Sequence, residues 1–173
     1  MNVVEKQTEL MASLEDSLVR EFRVLQALLS LTWEERQALS KEDISRLSPL
    51  VEEKEALLDE LGQLEECRKT ATESLAVILG ASPAATVTEL FPLLDSATAV
   101  RLGRLSEGIT TLVGQARDLN HGNRALAAYK VEWLDAAQTY LLNLVQPPPA
   151  YYPPGANHTS VLWTPAINMD HRA

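Results

Sequence analysis

Apolar residues recur at helical spacing along most of this chain. Leu10, Leu14, Leu18, Phe22, Leu25, Leu28 and Leu29 step mainly by threes and fours, the stripe of an amphipathic helix. Glycine is absent from residues 1–61, and Pro49 is the only proline there. That is the composition of long helix with at most one interruption. The pattern predicts a first helix over 3–38 and a break near Leu39 and Ser40. Ser40 followed by Asp43 resembles a capping box with Asp in place of Glu, which satisfies free amide donors at a new helix start. Pro49 predicts either a short segment over 41–47 or a kink, because an interior proline removes a backbone donor and crowds the preceding turn.

A second helix is expected to run to about Leu79. Leu50, Leu57, Leu64, Ala71 and Ile78 recur every seven residues, and Leu47, Leu61 and Leu75 share a lane with Lys54 and Arg68. Seven-residue lanes lie along one stripe of a helix, as in a coiled-coil seam. Gly80 stands where a left-handed C-terminal cap belongs, and Pro83 follows. In the connection over 81–96, Thr86 or Thr88 is placed to cap a short helix through Leu94, with Pro92 limiting its length. Asp95 and Ser96 then offer a cap for a third long helix over 97–146. Its seam is Leu105, Ile109, Leu112, Ala116, Leu119, Asn123, Leu126, Lys130, Trp133, Ala137, Tyr140 and Leu144, alternating steps of four and three. Gly103, Gly108, Gly114 and Gly122 each weaken such a helix by about 1 kcal/mol relative to alanine, and a bend near Gly122 is plausible on that count.

From Pro147 the composition changes. Six of the nine prolines fall in the last 27 residues, which reads as an extended tail. The expected fold is therefore all-α: an elongated antiparallel bundle of three long helices with a short connecting helix over 1–146, and a flexible Pro-rich C-terminal tail over 147–173.

Charge narrows the possible partners. The chain has 24 acidic and 15 basic side chains and a net charge of −9, so it lacks the basic footprint that nucleic acid or anionic lipid requires. The imbalance sits in residues 1–73, with 17 acidic and 9 basic side chains, whereas residues 74–173 carry 7 and 6. The near-neutral, more apolar second half is the place to look for a sticky surface. A single cysteine, Cys67, allows no internal disulfide and fits a reducing cytoplasm. No basic segment followed by an apolar run opens the chain, so no signal peptide is expected. No apolar run approaches the roughly 20 residues of a transmembrane helix.

Candidate chemistry is sparse. The carboxylate pairs Glu34–Glu35, Glu52–Glu53 and Glu65–Glu66 lie in charged helical stretches and read as solvated faces. No Glu-x-x-His occurs, His121, His158 and His171 lie far apart, and Cys67 has no partner thiol or nearby histidine. Gly-rich phosphate loops and nucleophile elbows are absent. The expectation is a protein without catalytic residues, metal or cofactor.

Two stretches stand out. Asn120-His121-Gly122-Asn123 interrupts an apolar helix and puts Asn123 on the seam. It reads either as a polar seam, Asn120 and Asn123, that fixes register in a bundle, or as a bend that lets the rest of the helix present a groove. Beyond it, a second lane of Val131, Leu134, Gln138, Leu141 and Val145 runs beside Trp133, Ala137, Tyr140 and Leu144. Either both lanes are buried against the first two helices, or one stays open for an amphipathic partner helix. Four leucine-sized anchors gross roughly 6–12 kcal/mol, less the costs of association and ordering. That suits a reversible complex.

Specific residues bring a family into view. The stretch from Glu35 and Leu39 through the Asp43 turn to Leu47, Lys54, Leu57-Leu58, Leu61 and Leu64 resembles the FlgN-like flagellar export chaperones. Leu119-Asn120-His121-Gly122-Asn123-Arg124-Ala125-Leu126 is similar to the family's two asparagines three residues apart, and Tyr152-Pro153-Pro154-Gly155 to its closing Tyr-x-x-Gly. The proline run at 147–149 leaves either Tyr151 or Tyr152 as the matching tyrosine. The resemblance implies a small, helical cytoplasmic chaperone. Such a protein covers the disordered C-terminal segments of hook-associated, or hook–filament junction, proteins before export. It then delivers them to the cytoplasmic domain of the flagellar export gate. It implies cargo binding by the last helix, here Val131, Trp133, Leu134, Tyr140, Leu141 and Val145, and gate docking near Tyr151 or Tyr152. The alternative is a structural coiled-coil adaptor that dimerises through its heptad seam.

Overall fold

The computed structural model describes residues 3–145. Helix α1 spans Val3–Lys41, α2 Ile44–Ile78, α3 Val87–Leu90 and α4 Ser96–Val145, with a single 3₁₀ turn at Phe91–Leu93 between α3 and α4. The described residues contain no strand, and the fold is all-α. The chain divides into two compact units, residues 1–133 and 134–173. Tyr151, Tyr152 and the expected tail over 147–173 lie outside the described residues.

In the first unit, α1 and α2 form a closely packed antiparallel hairpin. Glu35 pairs with Lys54 at 2.8 Å and Glu21 with Arg68 at 2.8 Å, so α2 descends as α1 rises. Helix α4 runs parallel to α1. Arg101 Nε donates to Glu15 at 2.6 Å and Lys130 Nζ to Glu42 at 2.8 Å, with sequence offsets of 86 and 88. The two helices thus stay in one register over about 40 Å. The apolar core is richest beside α3, where Leu14, Leu18, Ala71, Leu75, Val87, Leu90 and Leu102 are buried together. Each such leucine contributes about 1.5–3 kcal/mol relative to exposure.

The helix ends show how local chemistry sets the boundaries, and two expectations need correction. Ser40 is no cap: its hydroxyl donates to the Arg36 carbonyl at 2.8 Å within α1. The helix continues to Lys41, Glu42 takes a left-handed φ of 61°, and Asp43 caps α2 by accepting from the Arg46 amide at 3.3 Å. Pro49 does not end or shorten the helix, since α2 runs from Ile44 through it. So near the N-terminus, proline removes a single rung at most, and the Leu50 and Leu64 side chains that follow are fully sequestered. Gly80 adopts φ 74° just past α2, as the cap requires. Asp95 accepts from the Thr98 amide at 3.0 Å and starts α4. Helix α4 is one unbroken helix of 50 residues and runs through Gly122 without a break.

An exposed apolar face on α4 and a buried polar link

The register between α1 and α4 explains where the apolar lanes of α4 lose their cover. Lys130 of α4 meets Glu42, the residue that turns α1 into α2. The α1–α2 hairpin has run out at that level. Within the first unit Leu126 is still half-buried, whereas Tyr129, Val131 and Trp133 are exposed. In the second unit, residues 134–145 are helical, and Leu134, Tyr140, Leu141, Leu142, Leu144 and Val145 are exposed. The six proposed contacts, Val131, Trp133, Leu134, Tyr140, Leu141 and Val145, range from 57 to 83% exposed. None of the six is a buried core position of its own unit. Isolated exposed apolar side chains are ordinary, but a run of aromatic and leucine side chains on consecutive helical turns is the mark of an interaction face.

Tyr129, Leu142 and Leu144 were not singled out as contacts from sequence. Leu144 lies on the same seam as Trp133 and Tyr140. Leu142 falls outside both lanes, and its signal is that the terminal turns of α4 are apolar on more than one face, a wider apolar arc than a solvated surface helix carries.

Of the two asparagines, only Asn123 is buried. Asn123 is 2% exposed, and its Nδ2 donates to the Thr32 carbonyl and to Glu35 Oε2, both at 2.8 Å. Its Oδ1 is buried without a hydrogen-bond partner among the described residues. Glu35 also accepts from Lys54 at 2.8 Å, and Lys54 reaches the exposed Asn120 at 3.3 Å. These side chains link α1, α2 and α4. Glu35 is thus largely covered, unlike the solvated carboxylate its sequence setting suggests. So is Glu21, a carboxylate that sequence reading passed over. Burial pushes the Glu21 carboxyl above the usual range, and Arg68 opposes that shift in part.

Cys67 is exposed and free. Among the described residues no group of three His, Cys, Asp or Glu side chains is arranged to hold a metal ion. No described helix is long and apolar enough to cross a membrane.

No curated protein and no solved structure matches the chain. The family model described as FlgN protein matches residues 5–159. That span covers α1 to α4 together with Asn120, Asn123 and the exposed face, and the chain belongs to the FlgN family of flagellar export chaperones.

Proposed function

We propose that this protein is a non-enzymatic cytoplasmic chaperone. In this reading it binds the C-terminal amphipathic segments of hook-associated proteins, prevents their premature assembly and delivers them to the export gate. The observation that carries the reading is the exposed run from Val131 to Val145 on α4. An amphipathic cargo helix lays its apolar side on Val131, Leu134, Leu141 and Val145, with Trp133 and Tyr140 as aromatic anchors. Four leucine-class contacts gross roughly 6–12 kcal/mol before association costs, and a micromolar complex corresponds to about −8 kcal/mol. Cargo held at that strength stays covered in the cell and is still released at the export gate. Tyr151 or Tyr152 is the proposed gate contact. The test is size-exclusion chromatography of the full chain mixed with a purified hook-associated protein. The reading expects a stable 1:1 or 2:2 complex that is lost when the cargo's C-terminal segment is removed. A complex that survives that removal refutes the proposed cargo segment.

The same exposed lanes favour one rival. Trp133, Ala137, Tyr140 and Leu144 keep heptad spacing and fit a coiled-coil dimer of an adaptor protein. Sedimentation equilibrium of the chain alone separates the readings: the rival requires a dimer that cargo does not dissociate or engage.

A further inference from the structure

A second apolar surface lies inside the first unit. Helices α1 and α2 are in close contact, but α4 stands away from α2 along the middle of the bundle. The gap is an open groove of about 470 Å³, floored by Leu25 and Leu28 of α1 and walled by Leu58 and Leu61 of α2 and Ile109 and Val113 of α4. Leu58 is 50% exposed in it. Each end is closed by an interhelical ion pair, Lys54 with Glu35 and Arg68 with Glu21. From Lys54 to Arg68 the groove follows about four helical turns, roughly 21 Å.

Its two rims carry opposite charge. At 100° per residue, Glu55 and Glu66 lie on α2 just outside the line of Leu58 and Leu61. Arg117 lies on α4 just outside the line of Ile109 and Val113 and lines the groove. All three are exposed, and none forms an ion pair with another described residue. An apolar trough four turns long, with an acidic rim on one side and a basic rim on the other, is complementary to one kind of object. That object is an amphipathic helix with an apolar stripe, a basic edge and an acidic edge.

We infer that the α2–α4 groove is a second docking site, which takes an amphipathic helix of a partner protein as the fourth member of the bundle, its basic edge over Glu55 and Glu66 and its acidic edge over Arg117. This site is separate from the Val131–Val145 face and does not depend on the cargo assignment made above. A bound helix covers Leu58 and the exposed parts of Leu61, Ile109 and Val113. Its edge charges set its orientation and reject helices whose two edges carry the same sign.

The probe is a synthetic 16-residue helix with leucines at heptad a and d positions, lysines along one edge and glutamates along the other. Two controls carry lysine on both edges or glutamate on both edges. Binding to the full chain is followed by fluorescence anisotropy of the labelled peptide. The mixed-edge peptide is expected to bind at least tenfold tighter than either control. Leu58→Gln, at a half-exposed position, weakens it at least tenfold, whereas Leu134→Asp with Leu141→Asp changes it less than threefold. The rim variant Glu55→Lys with Glu66→Lys alters only exposed side chains and makes both rims basic, so the chain switches preference to the glutamate-edged control. The inference is overturned if the three peptides bind equally, if Leu58→Gln leaves affinity unchanged, or if the rim variant keeps the original preference. It is also overturned if the groove proves to hold a second copy of this chain, seen as a peptide-free dimer that Leu58→Gln dissociates.

Discussion

Asn123 donates to the main-chain carbonyl of Thr32 across the α1–α4 interface at 2.8 Å, with both residues almost wholly buried. The same amide group reaches Glu35, while Asn123 Oδ1 has no hydrogen-bond partner among the described residues. A buried amide satisfied on one side only is tolerable where its donor atoms select a single axial position for α4. Asn123→Ala removes both donor bonds and is expected to destabilise the protein by about 1–3 kcal/mol. Asn123→Leu also removes the stranded oxygen and fills the space, so it costs less. Urea unfolding checks both through the midpoint at constant slope.

The glycines of the long helices separate packing from propensity. A Cβ at Gly62 or Gly114 meets nothing within 4 Å, but at Gly108 it falls 2.8 Å from the Phe22 ring. Gly62→Ala and Gly114→Ala are each expected to stabilise by about 0.5–1 kcal/mol. Gly108→Ala loses that gain because the ring must move. Gly80 holds φ 74°, so Gly80→Ala is expected to destabilise by about 1–2 kcal/mol. Thermal unfolding of the four variants checks the order.

Two carboxylates bracket the bundle's response to acid with opposite sign. Hydrogen bonding to the Thr98 amide holds the Asp95 carboxyl below the usual range, so its contribution is present above the unfolded-state value and is lost as pH falls through the folded one. Asp95→Asn therefore lowers the melting temperature at pH 7, and the gap to the wild type closes on acidification. Glu21 is pushed up by burial. Its ionised form is the disfavoured one in the folded state, so wild-type stability falls as pH rises through the window between the unfolded and folded values. Glu21→Gln is expected to melt higher than the wild type at pH 7, with the difference shrinking at low pH. Calorimetric melting of both variants from pH 3 to pH 7 reads the two trends together.

Much of the bundle was legible because its signals are local. The seven-residue lanes of α2 and α4, Gly80 and Asp95 each act through neighbours a few residues away, and all fall where the structure places them. The α1–α2 turn was misplaced because Ser40 spends its hydroxyl on Arg36 and leaves the cap to Asp43. The open face of α4 was legible only as one of two options. Which lanes are covered depends on where the hairpin ends relative to α4. That register is set by Glu15–Arg101 and Glu42–Lys130, pairs separated by 86 and 88 residues. No periodicity within one helix contains that information. The α2–α4 groove was hidden for the same reason, since Ile109 reads as an ordinary seam position of α4 and Leu58 falls on neither seven-residue lane of α2.

The strained turn supplies a further check on the register. Glu42 combines a left-handed backbone with a carboxylate that Lys130 holds below the usual range through a hydrogen bond. Lys130→Met removes the partner but keeps the bulk. It is expected to lower the melting temperature slightly at pH 7, with an effect that fades at high salt and on acidification as Glu42 protonates. A loss that salt does not alter contradicts an electrostatic role for the pair.

The central claim, that exposed apolar side chains on α4 hold an export cargo, is tested most directly by isothermal titration calorimetry. A peptide of the C-terminal segment of a hook-associated protein is titrated into the full chain and into the double variant Leu134→Asp with Leu141→Asp. The account predicts micromolar or tighter binding to the wild type and no measurable heat with the variant, while circular dichroism shows equal helicity in both. Equal affinity for the two proteins contradicts it.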